Sequence, residues 1–246
     1  MIIDSHVHLK HGDAKGTEYS AEIIIKTMDA VGIDRSIVFA ISTATKHSIE
    51  MAREAVEKFP DRLIPYVNVD PSYEKSILEE IDEAVSKLGF RGMKIHLGYG
   101  VPAEEIMNPF LHFASERCVP CLIDCVGRYD VVERMARDFS EAKIIVAHLG
   151  KYLCKDEELI DGFINIADAH NNIFLDVSGV VIPKKITEAV HRIGSNRVIF
   201  GTDGPHEAPD TIGFARAELD KIRELPLNPN DKTAILGGAI AALLGI

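Results

Sequence analysis

The chain has 246 residues, 46% of them hydrophobic and 26% charged, and a net charge of −11 with neutral histidines. That is ample apolar material for a large core. The acidic balance argues against a nucleic-acid backbone or an anionic membrane as the main partner, although a local cationic pocket could still take an anionic small molecule.

The first ten residues, MIIDSHVHLK, lack the basic and long apolar regions of a secretory leader, so a cytoplasmic protein is expected. The β-branched run Ile2–Leu9 predicts the first strand. Lys10–Ser20 (KHGDAKGTEYS) follows as a glycine-containing polar loop, a candidate active-site loop. A helix over Ala21–Val31, a strand over Ser36–Ala40, a helix over His47–Lys58 and a strand over Leu63–Val69 come next. Tyr73–Leu88 is the clearest helix. Ile77, Ile81, Ala84, Val85 and Leu88 recur at helical spacing, Glu79, Glu80, Asp82, Glu83 and Lys87 fill most of the opposite face, and Ser72 and Gly89 read as caps.

Strands over Gly92–Leu97, Pro120–Val126, Lys143–Leu149, Asn172–Ser178 and Arg197–Thr202 then alternate with helices over Ala103–Arg117, Tyr129–Phe139, Glu157–Ala169, Pro183–Ile193 and Pro209–Glu224. A last helix runs from about Asp231 to Leu244. Its tract AILGGAIAALLGI is too short and glycine-rich to cross a bilayer.

Most of the strands are continuous apolar runs, as expected of parallel strands buried on both faces. Strand and helix alternate eight times, which predicts an α/β fold: a (β/α)8 TIM barrel formed as a single domain over residues 1–246, with an extra C-terminal helix. No Gly-x-Gly-x-x-Gly follows the first strand, so the open dinucleotide-binding sheet is the weaker alternative. Cys118, Cys121, Cys125 and Cys154 lack the second spaced pair of a four-sulfur zinc site and read as buried thiols on and beside a strand.

Chemistry gathers at strand ends. His6 and His8, two apart on the first strand, point to one side and can hold one cation. Lys94 and His96 repeat that spacing in GMKIHL. VAHLGK places His148, and FGTDGP places Asp203, at the barrel mouth, where active sites of such barrels form. Arg128 and Lys151 follow two further strands. With Lys94 they suggest a carboxylate-bearing substrate, and the four residues Lys94, His96, Arg128 and Lys151 are the candidate substrate contacts.

DSHVHL at Asp4–Leu9, RGMKIHLG at Arg91–Gly98, AHLGK at Ala147–Lys151, GTDGP at Gly201–Pro205 and the closing ILGGAIAALLGI occur in the order of a known family. The chain resembles the amidohydrolase superfamily, in the branch that includes aminocarboxymuconate-semialdehyde decarboxylase. The resemblance implies His6 and His8 as metal ligands and Asp203 as a ligand that also orients or deprotonates a water. It implies His148 as the group that polarises substrate or acts as acid and base.

There is one departure. Where that family carries a histidine ligand, this sequence has Leu122-Ile123-Asp124. Asp124 can bind a cation through oxygen, giving a mixed nitrogen and oxygen site for one divalent ion, zinc first and manganese second. Lys94 is expected to be a free ammonium rather than a bridge between two ions.

The expected function is hydrolysis of a small carboxylate-bearing molecule through a metal-activated water, since a divalent ion can bring a water's pKa from 15.7 to roughly 7. A metal-dependent decarboxylase of a small unsaturated acid, a metal-free lactonase and a non-catalytic binding barrel are the alternatives. The expected partner is a small molecule, with no nucleic acid and no membrane, and the reading leaves room for a homodimer.

Overall fold

Strands form on the β-branched and apolar runs. In the computed structural model they are β1 (Ile3–Leu9), β2 (Arg35–Ala40), β3 (Leu63–Pro65), β4 (Val67–Val69), β5 (Met93–His96), β6 (Cys121–Asp124), β7 (Ile144–Val146), β8 (Ile173–Asp176) and β9 (Val198–Ile199). The structure describes residues 1–11, 18–41, 43–72, 76–98, 100, 102–206 and 210–246. The starts predicted for two helices, Tyr73 and Pro209, and residues 12–17 of the predicted active-site loop lie outside the described residues.

All strand pairings are parallel, in ladders β1-β2-β3 and β4 through β9 in order. β3 and β4 are halves of one predicted strand, parted by Tyr66, whose N–H donates to Val38 O at 3.0 Å. At the other seam Ser5 N–H donates to Phe200 O at 3.1 Å and His8 N–H to Gly204 O at 2.7 Å. Val7 and Gly204 form a parallel bridge there. Backbone hydrogen bonds therefore run round the ring, and the predicted strands are its staves.

The helices are α1 (Ala21–Val31), α2 (Thr45–Lys58), α3 (Ser76–Lys87), α4 (Glu104–Arg117), α5 (Tyr129–Asp138), α6 (Glu157–Ala169), α7 (Pro183–Ile193) and α8 (Thr211–Glu224). Asp210 caps α8 by accepting from Gly213 N at 2.7 Å. The predicted last helix is α9 (Pro229–Thr233), a π turn (Ala234–Gly238) and α10 (Ala239–Leu244). Phe200 N–H donates to Ile235 O at 3.0 Å, and Arg91 reaches Leu244 O at 2.5 Å, so this segment is fastened to the barrel. Among the described residues, no helix is long and apolar enough to cross a membrane.

The staves sort their side chains by parity. Ile37, Phe39, Ile64, Tyr66, Leu122 and Ile145 pack in one cluster with Ile240, Leu243 and Leu244 of α10. Their neighbours Val38, Ala40, Leu63, Val67, Cys121, Ile123 and Val146 pack in the cluster that includes the helices. Lys94 and Asp124 share the inward parity of Leu122. On β1 the register shifts between Asp4 and Val7. Ile3 belongs to the inner cluster, and His6 stands beside the ring of Phe39 at 5.6 Å. The irregularity thus changes which parity faces inward, as a bulge does when it re-aims a side chain. Cys121, Cys125 and Cys154 are buried as expected, whereas Cys118 is exposed at the end of α4, and the four are free thiols.

Tyr66 is fully buried on a stave, and its hydroxyl has no hydrogen-bond partner among the described residues. Burying an unpaired hydroxyl is unfavourable, so Tyr66→Phe should stabilise the fold by roughly 1 kcal/mol. Thermal unfolding checks this: the midpoint should rise by about 2–4 °C, and a lowered midpoint would refute the account.

Candidate active site

The first stave turns His6 and His8 toward Asp203, which follows β9. Asp203 Oδ1 lies 3.1 Å from His6 Nε2 and 2.7 Å from His8 Nε2. Asp203 reaches this position with φ +57, a left-handed backbone that aspartate tolerates better than most residues. Gly201, two residues earlier, is needed for close approach: a Cβ there would stand 2.4 Å from Asp176 Oδ2 and 2.8 Å from His6 Cβ. Phe39 of β2 packs beneath, with its ring 4.9 Å from that of His8 and 5.4 Å from Lys94 Nζ.

Two residues that the sequence reading did not single out set the histidine tautomers. Ser178 Oγ donates to Asp176 Oδ1. That leaves the hydroxyl to accept, and His6 Nδ1 lies 3.3 Å away. His148 Nδ1 donates to Ser178 O at 2.9 Å. The network therefore puts protons on both Nδ1 atoms and frees both Nε2 atoms for chemistry. The signal available in sequence was a buried-type strand ending in Asp176 and Ser178 (FLDVS), two polar groups at one more stave end.

His6 Nε2 and Asp203 Oδ1 then face each other as two acceptors, which requires a cation beside them. Lys94 is one: its ammonium, fully buried, donates to His6 Nε2 at 3.0 Å. A divalent ion held by His6, His8 and Asp203 is another, because one ligand atom from each lies within 4.8 Å of the others. Two imidazoles and one carboxylate are the donor number and type of a catalytic site that keeps positions open. His8 Nδ1 is buried without a hydrogen-bond partner among the described residues. With no ion bound, His8 Nε2 must carry the proton that it donates to Asp203 Oδ1 at 2.7 Å; because nothing holds Nδ1, the proton can move there when Nε2 serves as a ligand.

The electrostatics suit this use. Burial pushes His8 down to about 3, and it lowers His6 too, helped by the nearby Lys94, so both are neutral donors at physiological pH. Burial alone would raise Asp203, but His6, His8 and His148 overcome it and hold the carboxylate well below its usual range. Asp176 is similarly held at about 2 against its burial, chiefly by His6 and His148. Burial disfavours the charged form of His148. The carboxylates of Asp124, Asp203 and Asp176 outweigh that and raise it above an ordinary histidine.

Among the residues read from sequence, His6, His8, Asp203, Lys94 and His148 converge. His148 does so from outside a strand: β7 stops at Val146, and His148 has φ +61 with its N–H on Asp176 Oδ1 at 3.1 Å. Asp124 ends β6 at the mouth, beside His96 and His148. Its Oδ2 lies 3.2 Å from His96 Nε2 and 3.6 Å from His148 Nε2, and its Oδ1 accepts from Val126 N. Among the described residues, neither group able to hold an ion includes Asp124; the partners it has are those of a counter-ion to His96 and His148. Arg128 is not brought to the site: it is half-exposed and bidentate on its neighbour Asp130 at 3.0 and 2.9 Å. Lys151 is exposed on the rim, its side chain beside Gly127. His206, unflagged by sequence, comes within 3.7 Å of Asp203 Oδ2.

A family model described as amidohydrolase matches residues 3–246. The chain belongs to that family, and the barrel with a histidine pair on its first stave is the architecture that the resemblance implied. Among solved structures it is similar to a probable 2-pyrone-4,6-dicarboxylic acid hydrolase of Acinetobacter baumannii with citric acid bound, at 17% identity and a TM-score of 0.77, covering 100% of this chain and 99% of that one. It is also similar to 4-oxalomesaconate hydratase of Rhodopseudomonas palustris, at 18% identity and 0.73, covering 100% and 96%. A third is 5-carboxyvanillate decarboxylase of Sphingomonas paucimobilis, at 14% and 0.73, covering 100% and 99%. No curated protein matches the chain.

Lys94 and a divalent ion draw on the same lone pair of His6 and repel each other as like charges. Lys94→Met should therefore tighten zinc binding by at least about tenfold, given that unit charges a few ångströms apart interact by several kcal/mol at protein-like dielectric. Titration with a competing chelator checks this. Weaker zinc binding in the variant would show that Lys94 supports the ion rather than opposing it.

Proposed function

We propose that the protein is a metal-dependent hydrolase of a small carboxylate-bearing molecule. The observation that carries this is the convergence of His6 Nε2, His8 Nε2 and Asp203 Oδ1 beside His148. The nitrogen-rich donor set favours zinc, with manganese next. A divalent ion held there supplies the Lewis acidity that makes a water nucleophilic near neutral pH. Asp203 Oδ1 is the atom that faces His6 and His8 and would hold the ion with them, which leaves Oδ2 to accept a proton from water. His148, held by Ser178 through Nδ1, presents Nε2 to give a proton to the leaving group. Asp124 keeps His148 protonated, and Lys94 balances the surrounding carboxylates.

The substrate class rests on Lys94 at the site and Lys151 on the rim, and on the similar structures, whose names are those of enzymes for carboxylic acids. A decarboxylase is the second reading, favoured by the decarboxylases among those structures. The same groups could stabilise the charge left by departing carbon dioxide. Four free thiols support a reducing compartment, the cytoplasm.

The test is a panel of carboxylate-bearing lactones, amides and unsaturated acids, assayed for hydrolysis and for carbon dioxide. His6→Ala with His8→Ala should abolish stoichiometric metal and activity while the circular dichroism of the fold persists. Full metal content in that double variant would sink the site assignment, and undiminished hydrolysis after metal removal would favour a metal-free lactonase.

The pH profile gives a second check. His148 is raised by the Asp124 carboxylate among others, so its proton is retained above the ordinary histidine range and lost as pH rises further. Activity that needs this proton falls on the alkaline side. Asp124→Asn removes the anion and should move that falling limb to lower pH, with metal stoichiometry unchanged. Loss of metal in Asp124→Asn would instead restore Asp124 as a ligand.

A further inference from the structure

The tautomers of His6 and His148 rest on one short turn, residues 177–180, which follows β8. Ser178 supplies the carbonyl for His148 Nδ1 and a hydroxyl near the Nδ1 atoms of both histidines, at 3.3 Å from His6 and 3.0 Å from His148. After Val177 N–H, which still donates to Ile199 O at 3.0 Å, the turn leaves the ladder, so its remaining backbone groups need other partners. α8 provides them. Lys221 Nζ donates to Val177 O and to Val180 O, each at 3.2 Å, and so grips the turn on both sides of Ser178. Glu218 Oε2 accepts from Gly179 N at 3.1 Å and from Lys221 Nζ at 2.5 Å. Both side chains are about nine-tenths buried. Gly179 takes φ +63, and a Cβ there would stand 2.4 Å from the Tyr152 ring, so the turn has little room to settle elsewhere.

We propose that Glu218 and Lys221 are positioning residues for the active site: they lock the 177–180 turn so that Ser178 keeps the Nδ1 protons of His148 and His6 in place and both Nε2 atoms directed to the reaction. Neither touches the candidate metal group, so they act through Ser178. A buried ion pair is weak evidence for stability as such. Here it supplies three backbone hydrogen bonds to the one turn that orients two imidazoles. A partner that fixes a ligand's or base's other ring nitrogen commonly matters to activity by 10–100-fold.

The experiment uses the full chain labelled with nitrogen-15. The His148 Nδ1–H signal should be protected from exchange in the parent. In Lys221→Met its exchange should speed up by roughly tenfold or more, and the His6 ring signals should shift, because losing the hydrogen bonds of a charged donor lets the turn open more often. Lys221→Arg keeps donors for both carbonyls and should retain the parent signals. Lys185→Met is the control. Lys185 is also buried and paired, with Asp161 at 2.6 Å and Glu188 at 2.8 Å, but those partners lie on α6 and α7. It should lower the melting temperature without moving the histidine signals. Should Lys221→Met fail to fold because Glu218 is left as an unpaired buried charge, the double variant Glu218→Met with Lys221→Met, which removes both the donor and that charge, carries the same comparison.

The idea is overturned if the Lys221 variant melts lower, as the control does, yet keeps the parent's histidine signals. The activity arm rests on the hydrolase reading: kcat should fall with KM little changed. The exchange arm does not depend on that reading, so a failure of the proposed reaction and a failure of the turn lock are told apart.

Discussion

One carboxylate is bonded to both edges of the barrel at once. Asp4, on the first stave, accepts from Thr202 N at 2.9 Å and Thr202 Oγ1 at 2.6 Å, and from His6 N at 3.1 Å. Burial pushes its pKa up to about 7 in spite of those three bonds. The seam between first and last staves is otherwise held by a few backbone bonds, since β9 is only two residues long. Asp4 therefore fixes the distance from His6 and His8 to Asp203, and the shared oxygen of Asp203 follows from that closure. Without the closing contact, buried donors on Thr202 and His6 would be left unpaired, at about 1–3 kcal/mol each.

Charge is concentrated inside this ring and must balance there. Asp124, Asp176 and Asp203 are held as carboxylates against their burial and raise His148; burial lowers Lys94, and the same three carboxylates oppose that loss of its charge. An isolated buried charge is costly, so each group depends on the others being present. The cluster behaves as one unit, in which a divalent ion, the Lys94 ammonium and the His148 proton compete for the same few anionic oxygens and lone pairs. Changes at any of them are expected to be non-additive.

Of the six non-glycine residues with positive φ among the described residues, five lie at the mouth of the barrel and one, Cys118, ends α4. Val126, His148, Leu149, Leu153 and Asp203 all have φ near +50 to +60, and each follows a stave. Such a conformation costs non-glycine residues roughly 1–2 kcal/mol each. The stave ladders and the surrounding helices supply the stability that holds them. The strained positions include the two groups assigned to proton transfer, which places rigidity in the staves and specialised geometry in the turns after them.

Much of this protein was legible in its sequence because it is written locally. Continuous apolar runs alternating with amphipathic helices determined the parallel barrel, and polar residues at stave ends, His6, His8, Lys94, His148 and Asp203, marked the mouth. These signals depend only on periodicity and on how rarely a core tolerates such groups. What the tertiary structure decided was partnership. The register shift on β1 selects which histidines face inward. Asp124, chemically able to bind an ion, has His96 and His148 beside it from the two adjacent staves, and Arg128 is taken by its neighbour Asp130. Asp176, Ser178, Glu218 and Lys221 matter only because β8, the turn after it and α8 meet His6 and His148. No spacing along the chain encodes that meeting, since contacts between side chains far apart in sequence exist only once the ring has closed.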